Sequence, residues 1–284
     1  MKILVTGANG YLGRGIVESL AKLGQEIVAT DISTEGIVEL DNINKVEADL
    51  FNLDDPYTFF GSPDIMLHLA WRDGFVHNSK AHLEDLSKHM LFLDKMFNSK
   101  IKKISVMGSM HEVGFYEGSV DENTETNPMT YYGIAKDALR KYVIQEGQEK
   151  SKDYQWLRAY YIVGNTSGGS SIFSKIVEAE RKKQKLFPFT TGVNQYDFLD
   201  YGEFTHRIAI TLVQNTVLGV INVCSGQPMR LSERVENFIQ ENGFDIKLEY
   251  GAFPDRKYDS KAMWGNSEKM ERILSEFNNN GGIS

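Results

Sequence analysis

Cysteine is almost missing from this chain. Of 284 residues only Cys224 carries a thiol, which excludes an intrachain disulfide framework and a cysteine-cluster metal site, and points to a reducing, cytoplasmic setting. Runs of positive charge are missing too. With 31 Lys and Arg against 39 Asp and Glu the net charge is −8, so neither a nucleic-acid polymer nor an anionic membrane surface is an expected partner. No uninterrupted apolar stretch approaches membrane length. The opening "MKILVTGANG" has one positive charge and a short apolar run cut by glycines, so neither a spanning helix nor a signal peptide is expected. No internal repeat is visible. What is present is a hydrophobic content of 41%, enough at this length for a sizeable core in one large α/β unit or two smaller ones.

Short apolar runs alternate with helical patterns from the first residues onward. "KILVT", "EIVATD", "KVEADL", "DIMLHLAW", "KKISVMGS" and "WLRAYYIVG" read as buried parallel strands. Between the first two, Leu12, Ile16, Leu20 and Leu23 recur at near-helical spacing and Gly24 supplies a stop, which makes a β-α-β unit. The rest is less regular: "GNTSGGSS" reads as a loop, "IFSKIVEAERKKQK" as a helix, "GVINVCSG" as a strand, "SERVENFIQENG" as another helix and "NNNGGIS" as a frayed tail. The expected fold is α/β. A Rossmann-type doubly wound parallel sheet occupies residues 1–165 and a smaller C-terminal substrate-binding part residues 166–284, with a segment near 192–226 returning to the first sheet.

Two stretches point to chemistry. In "VTGANGYLGRG", Gly7, Gly10 and Gly13 follow the first strand and open the first helix. Glycines there let the backbone turn tightly and approach a pyrophosphate, which sits on the N–H groups of the helix N-terminus. Asp31, closing the second strand, stands at the distance expected of a carboxylate that binds adenosine ribose hydroxyls. Asp49 either flanks the adenine or is a solvated strand-end acid. The second stretch, "TYYGIAKDALRK", sets two tyrosines before a lysine. Helical positions four apart stack and positions five apart turn away, so Tyr132 rather than Tyr131 partners Lys136. A lysine charge about 4 Å from a phenol, at an effective dielectric near 20, is worth roughly 4 kcal/mol, enough to bring a pKa of ~10 toward neutrality. Alone, the same spacing also describes an ordinary helix whose tyrosine packs and whose lysine snorkels. His68, in a buried strand, reads as a core histidine.

Taken in order, Gly7, Gly10, Gly13, Asp31, Asp49, "HLAW", Ser109 and Tyr132-x-x-x-Lys136 resemble the extended short-chain dehydrogenase/reductases. Within them the chain is similar to the NAD-dependent epimerase/dehydratase family, which modifies nucleotide sugars. The likeness runs over nearly the whole chain: "DFLD" at 197–200 is similar to the family's R-D-F-x-x-x-D, "NVCSG" to its N-x-x-x-G strand end and "FPDRKYD" to its P-x-R segment. The resemblance implies NAD, in preference to NADP, held by Gly7, Gly10, Tyr11, Leu12, Gly13, Asp31, Asp49, Leu50, Leu69, Ala70, Tyr132 and Lys136. It makes Ser109, Tyr132 and Lys136 the catalytic trio. Tyr132 exchanges a proton with a sugar hydroxyl or ketone, Lys136 lowers the tyrosine pKa and binds the nicotinamide ribose, and Ser109 hydrogen-bonds the reacting oxygen. Arg256, by its match to P-x-R, is expected on the diphosphate.

The chain also departs from the pattern. After Ser109 it reads "MHEVGFYEG", which sets His111 and Glu112 near the reacting carbon as substrate-side residues, either in proton transfer or as polar loop. Tyr196 stands where the family often has arginine, and Asp85 near a position where many members carry asparagine. The substrate implied is a nucleotide-diphosphate sugar. The favoured reaction is reduction of a 4-keto-6-deoxyhexose, with 4-epimerisation or 4,6-dehydration as alternatives and a catalytically silent dinucleotide sensor or scaffold as a rival of another class. Family members commonly form homodimers through the helices near 83–97 and 130–148, for which "MLFLDKMF" offers apolar surface.

Overall fold

The computed structural model describes residues 1–164, 171–254, 260–279 and 281. In chain order its strands are β1 (Lys2–Thr6), β2 (Glu26–Asp31), β3 (Ile43–Glu47), β4 (Ile65–His68), β5 (Lys103–Ser109), β6 (Gly118–Val120), β7 (Asp153–Ala159), β8 (Tyr161–Val163), β9 (Leu186–Pro188), β10 (Gln195–Asp200), β11 (Gly219–Val223), β12 (Pro228–Arg230), β13 (Lys247–Glu249) and β14 (Ala262–Gly265). The helices are α1 (Tyr11–Lys22), α2 (Pro56–Phe59), α3 (Ala81–Phe97), α4 (Tyr131–Glu149), α5 (Ile172–Arg181), α6 (Tyr201–Val213), α7 (Leu231–Glu241) and α8 (Glu268–Asn279).

Seven strands form one sheet in the order β11-β7-β5-β4-β1-β2-β3, every neighbouring pair parallel. Alternate residues of each strand feed opposite faces. Ile3 and Val5 of β1 meet α1, α6 and α8 through Ile16, Leu20, Phe204, Ile208 and Met270. Leu4, between them, joins Phe92, Phe97, Leu139 and Val143 of α3 and α4 on the other face. A sheet buried on both sides explains why its strands read as unbroken apolar runs. The order reverses between β1 and β4. That is the switch point at which an open α/β sheet leaves a crevice beyond its C-terminal strand ends.

The second part is built from shorter pieces. β12, β10, β14 and β6 make a sheet, β8 pairs with β10, and β9 pairs with β13. Beneath them Phe173, Ile176, Phe189, Val235, Phe238 and Ile246 form a separate apolar cluster. The run "WLRAYYIVG" is not one strand. Asp153–Ala159 stays in the large sheet, Tyr160 turns its buried side chain to Asn222, and Tyr161–Val163 pairs with Phe198–Asp200. Helix α5 also stops at Arg181, short of the expected "KKQK", where Lys183 takes a positive φ of 57° and begins a turn. Among the described residues no helix is long and apolar enough to cross a membrane.

Candidate active site

Strand β1 ends in Thr6 and the chain turns at once into α1. Gly7 has φ +68°, and a Cβ there would lie 2.5 Å from the Ala70 nitrogen; one on Gly13 would lie 2.3 Å from the Gly7 carbonyl oxygen. Only glycines let this turn close so tightly against the segment after β4. Helix α1 opens at Gly10 with no side-chain cap, so its first turn presents backbone N–H groups and the positive end of the helix dipole. Asp31, at the end of β2, accepts from the Asn9 and Ile32 nitrogens at 3.0 and 2.8 Å, which fixes its carboxylate beside the loop. The Tyr11 ring lies tilted against Tyr201 at 4.7 Å between centroids, and the Tyr201 hydroxyl donates to the Tyr11 carbonyl oxygen at 2.6 Å, while Leu12 packs against the core.

Farther along the rim, Asp49 caps the turn Leu50–Asn52, accepting from the Phe51 nitrogen and from Asn52 Nδ2. Leu50 is buried, and Leu69 and Ala70 follow β4 beside Gly7, where the Leu69 nitrogen donates to the Thr6 carbonyl oxygen. Thr6 Oγ1, His68 Nδ1, His68 Nε2 and His89 Nδ1 form a buried chain with contacts of 2.8 and 2.9 Å. Asp85 is tied to Arg72 and Lys88.

Ser109 closes β5, and α4 starts across from it with Thr130 as N-cap. The tyrosines separate as helix geometry requires: Tyr131 is 39% exposed, whereas Tyr132 faces inward, stacked on His77 at 5.3 Å and flanked by His82, Trp71 and His111. Burial pushes Tyr132 up to about 12, against the pull of the hydrogen-bonded Ser109 hydroxyl. Lys136 is buried, donates to the Met107 carbonyl oxygen at 2.9 Å and lies 3.8 Å from the Trp71 ring centroid. Burial draws it down to about 7. The phenol lowered by lysine that the spacing suggests is therefore not the state of this chain alone. Desolvation is the largest influence on both groups and moves them toward their neutral forms.

His111 lies next to the trio, its ring 4.2 Å from His77, and burial brings it to about 3. Glu112 requires a correction. It is fully buried, with both oxygens facing Trp156 Nε1 at 2.9 Å and Arg158 Nε at 2.8 Å from Oε1, so it has no face toward a substrate. Arg256 lies outside the described residues. Tyr196 packs on Tyr161, and Asp197 binds the nitrogens of Ser225, Gly226 and Gly265, tying strand ends together.

The ring cage around Tyr132 has no signature in the sequence motifs. Trp71 Nε1 donates to His82 Nδ1 at 3.0 Å, which leaves the His82 proton on Nε2 to donate to the Val76 carbonyl oxygen. One signal was available: of the chain's 6 histidines, all but His206 fall between positions 68 and 111.

The model of the NAD dependent epimerase/dehydratase family matches residues 3–224. The chain is 39% identical over 269 residues to dTDP-6-deoxy-L-talose 4-dehydrogenase (NAD(+)) of Aggregatibacter actinomycetemcomitans, covering 93% of this chain and 99% of that protein. It is 25% identical to a putative UDP-glucose 4-epimerase of Methanocaldococcus jannaschii, covering 85% and 83%. In fold it is similar to the UDP-N-acetylglucosamine 4-epimerase of Methanobrevibacter ruminantium M1 in complex with UDP-N-acetylmuramic acid, with a TM-score of 0.83 at 20% identity over 96% of this chain and 91% of that one. A family match over most of its length, with a relative this similar from end to end, means that the chain belongs to the NAD dependent epimerase/dehydratase family.

Proposed function

We propose that the protein is an NAD-dependent 4-dehydrogenase/reductase of a nucleotide-linked 6-deoxyhexose, interconverting the sugar 4-hydroxyl and the 4-ketone. The observation that carries this reading is the 39% identity, over nearly all of both chains, to an NAD(+)-dependent 4-dehydrogenase of dTDP-6-deoxy-L-talose. The Gly7–Gly13 turn, the uncapped start of α1 and the fixed Asp31 carboxylate suit a dinucleotide, because they offer bare backbone for a pyrophosphate and an acceptor for ribose hydroxyls. Bound there, NAD supplies the hydride acceptor or donor. Tyr132 takes or gives the proton on the sugar O4, Ser109 hydrogen-bonds the same oxygen, and Lys136 answers Tyr132 electrostatically. His111 lines the sugar side beside His77. Residues 1–165, apart from β6 in the second sheet, then serve as the dinucleotide unit, and 166–284 as the sugar-nucleotide part, apart from β11, α6 and α8, which belong to or cover the large sheet. The reading is tested by offering NAD+ with dTDP-, GDP- and UDP-linked 6-deoxyhexoses and following reduced cofactor. Stoichiometric reduction with dTDP-6-deoxy-L-talose supports it, and isomerisation of the sugar without net reduction replaces it with 4-epimerisation.

Cofactor choice follows from Asp31. A 2′-phosphate would lose a charge-assisted hydrogen bond and meet the carboxylate, so NAD should be preferred over NADP by at least roughly tenfold, about 1.4 kcal/mol. Asp31→Ser is expected to weaken NAD binding and strengthen NADP binding in direct titration. Equal binding of both cofactors by the unmodified protein removes Asp31 from the ribose.

We also propose a cytoplasmic homodimer. The free, buried Cys224 suits a reducing compartment, and Leu83 and Leu91 on α3 with Ile134 on α4 expose apolar side chains that two copies can cover around a twofold axis. Light scattering at micromolar concentration should give twice the 32.2 kDa chain mass. The chain mass itself would refute pairing.

A further inference from the structure

We propose that Glu112 is a positioning residue for the reaction: its buried carboxylate holds Ser109 in place for Tyr132 and stands as a fixed negative charge behind Tyr132 and Lys136, without touching substrate. The inference rests on the dehydrogenase reading given above.

Three N–H groups converge on this carboxylate, one of them shared between its two oxygens. Oε2 accepts from the Ser109 nitrogen at 3.3 Å while Ser109 Oγ accepts from the His111 nitrogen, a reciprocal cap that locks the turn Met110–Glu112 to the end of β5. Trp156 Nε1 lies 2.9 Å from both oxygens and Arg158 Nε 2.8 Å from Oε1. Arg140 Nε stands 3.7 Å away. Every neighbour is a donor, so a carboxylate fits and an amide does not, because the NH2 of a glutamine would face other N–H groups. The indole can reach this point only because Gly108 has no side chain: a Cβ there would lie 2.2 Å from Trp156 Nε1.

The same cluster ties the turn to the second sheet. Arg158 Nη1 donates to the Asp121 carbonyl oxygen at 2.9 Å and to Asn222 Oδ1 at 3.2 Å, and Asn222 Nδ2 donates to the carbonyl oxygens of Val120 and Asn266. Ser109 is therefore held between the sheet that carries the dinucleotide loop and the one that contains β6 and β14. The charge acts as well. Glu112 raises both Tyr132 and Lys136. Facing Tyr132 are His77, His82 and His111; beside Lys136 are His68 and His89; facing Glu112 are Arg158, and Arg140 with its partner Asp137.

The test separates reach from charge. Glu112→Gln should lower kcat for sugar oxidation about 10- to 10²-fold with the sugar KM and the NAD Kd within about threefold. Its acid limb of kcat against pH should move to lower pH by about one unit, since losing a nearby negative charge makes the base easier to ionise. Glu112→Asp keeps the charge and falls short in reach, so kcat should stay low while the acid limb returns to its original position. A raised KM with kcat kept would make Glu112 a substrate contact, and an unmoved acid limb in Glu112→Gln would make it structural only; either overturns the proposal. Should Glu112→Gln fail to fold, Trp156→Phe removes one donor and keeps the charge: a lower kcat with an unmoved acid limb supports the proposal, and an unchanged kcat overturns it. If the unmodified protein oxidises none of the sugars, the dehydrogenase reading fails by itself. Amide exchange at Ser109 then still reads the cap, faster in Glu112→Asp if the proposal holds and equal in both proteins if it does not.

Discussion

Tyr132→Phe is expected to lose about 10²–10⁴ in kcat while keeping its fold and its affinity for NAD, the loss that follows removal of a general acid–base group. The ring itself is held by contacts that phenylalanine preserves, stacked on His77 and edged by Trp71 and His82. Only the hydroxyl and its hydrogen bond with Ser109 disappear. Tyr131→Phe is the matched control. Its side chain is 39% exposed, and a substitution in such a place changes free energy by about 0.5 kcal/mol or less, roughly twofold in rate. Steady-state kinetics on both variants decides the matter. Equal losses would remove Tyr132 from the chemistry.

Lys136→Met should be almost as damaging to turnover, by about 10²-fold or more, and yet raise the resistance of the fold to urea at neutral pH. Burial disfavours the Lys136 charge and draws it down to about 7 in the folded chain, from an ordinary lysine value of 10.5. Between those values the unfolded chain binds the extra proton and the folded chain does not, so stability rises with pH across that window. Below about 7 both states carry the proton and the full cost of a buried ammonium is present. Its bond to the Met107 carbonyl oxygen and its seat on Trp71 offset part of that cost. Methionine removes the charge and fills a similar volume. Urea midpoints measured from neutral to alkaline pH should therefore climb in the unmodified protein and climb less in Lys136→Met. A variant that is both inactive and less stable at neutral pH would mean that the lysine contacts outweigh its desolvation.

Much of this site follows from local rules. The glycine turn is readable because its residues are contiguous and the strand before it is an unbroken apolar run, and Tyr132 is separable from Tyr131 because helix geometry acts within one turn. The parts that escaped depend on distant segments meeting. Glu112 looks like a polar loop residue until β7 brings Trp156 and Arg158 onto it, more than forty positions later. The break at Tyr160 is invisible in hydropathy, because a strand that changes sheets stays apolar on both sides of the change. Likewise α6 and α8, late in the chain, cover the first sheet with α1, a placement that amphipathic spacing alone does not assign to any particular sheet. The reversal of the lysine–tyrosine expectation has the same origin: spacing supplies the distance between two charges, and burial, which decides their ionisation, is a property of the whole fold.

The proposed hydride transfer between the sugar C4 and NAD, with release of the reduced cofactor, can be followed by isotope. With dTDP-6-deoxy-L-talose carrying deuterium at C4 and an equivalent of NAD+, deuterium should leave the sugar and appear in the released reduced nicotinamide, with a 4-keto sugar as the other product. Deuterium that stays at C4 of an isomerised sugar, with no reduced cofactor in solution, would contradict the account.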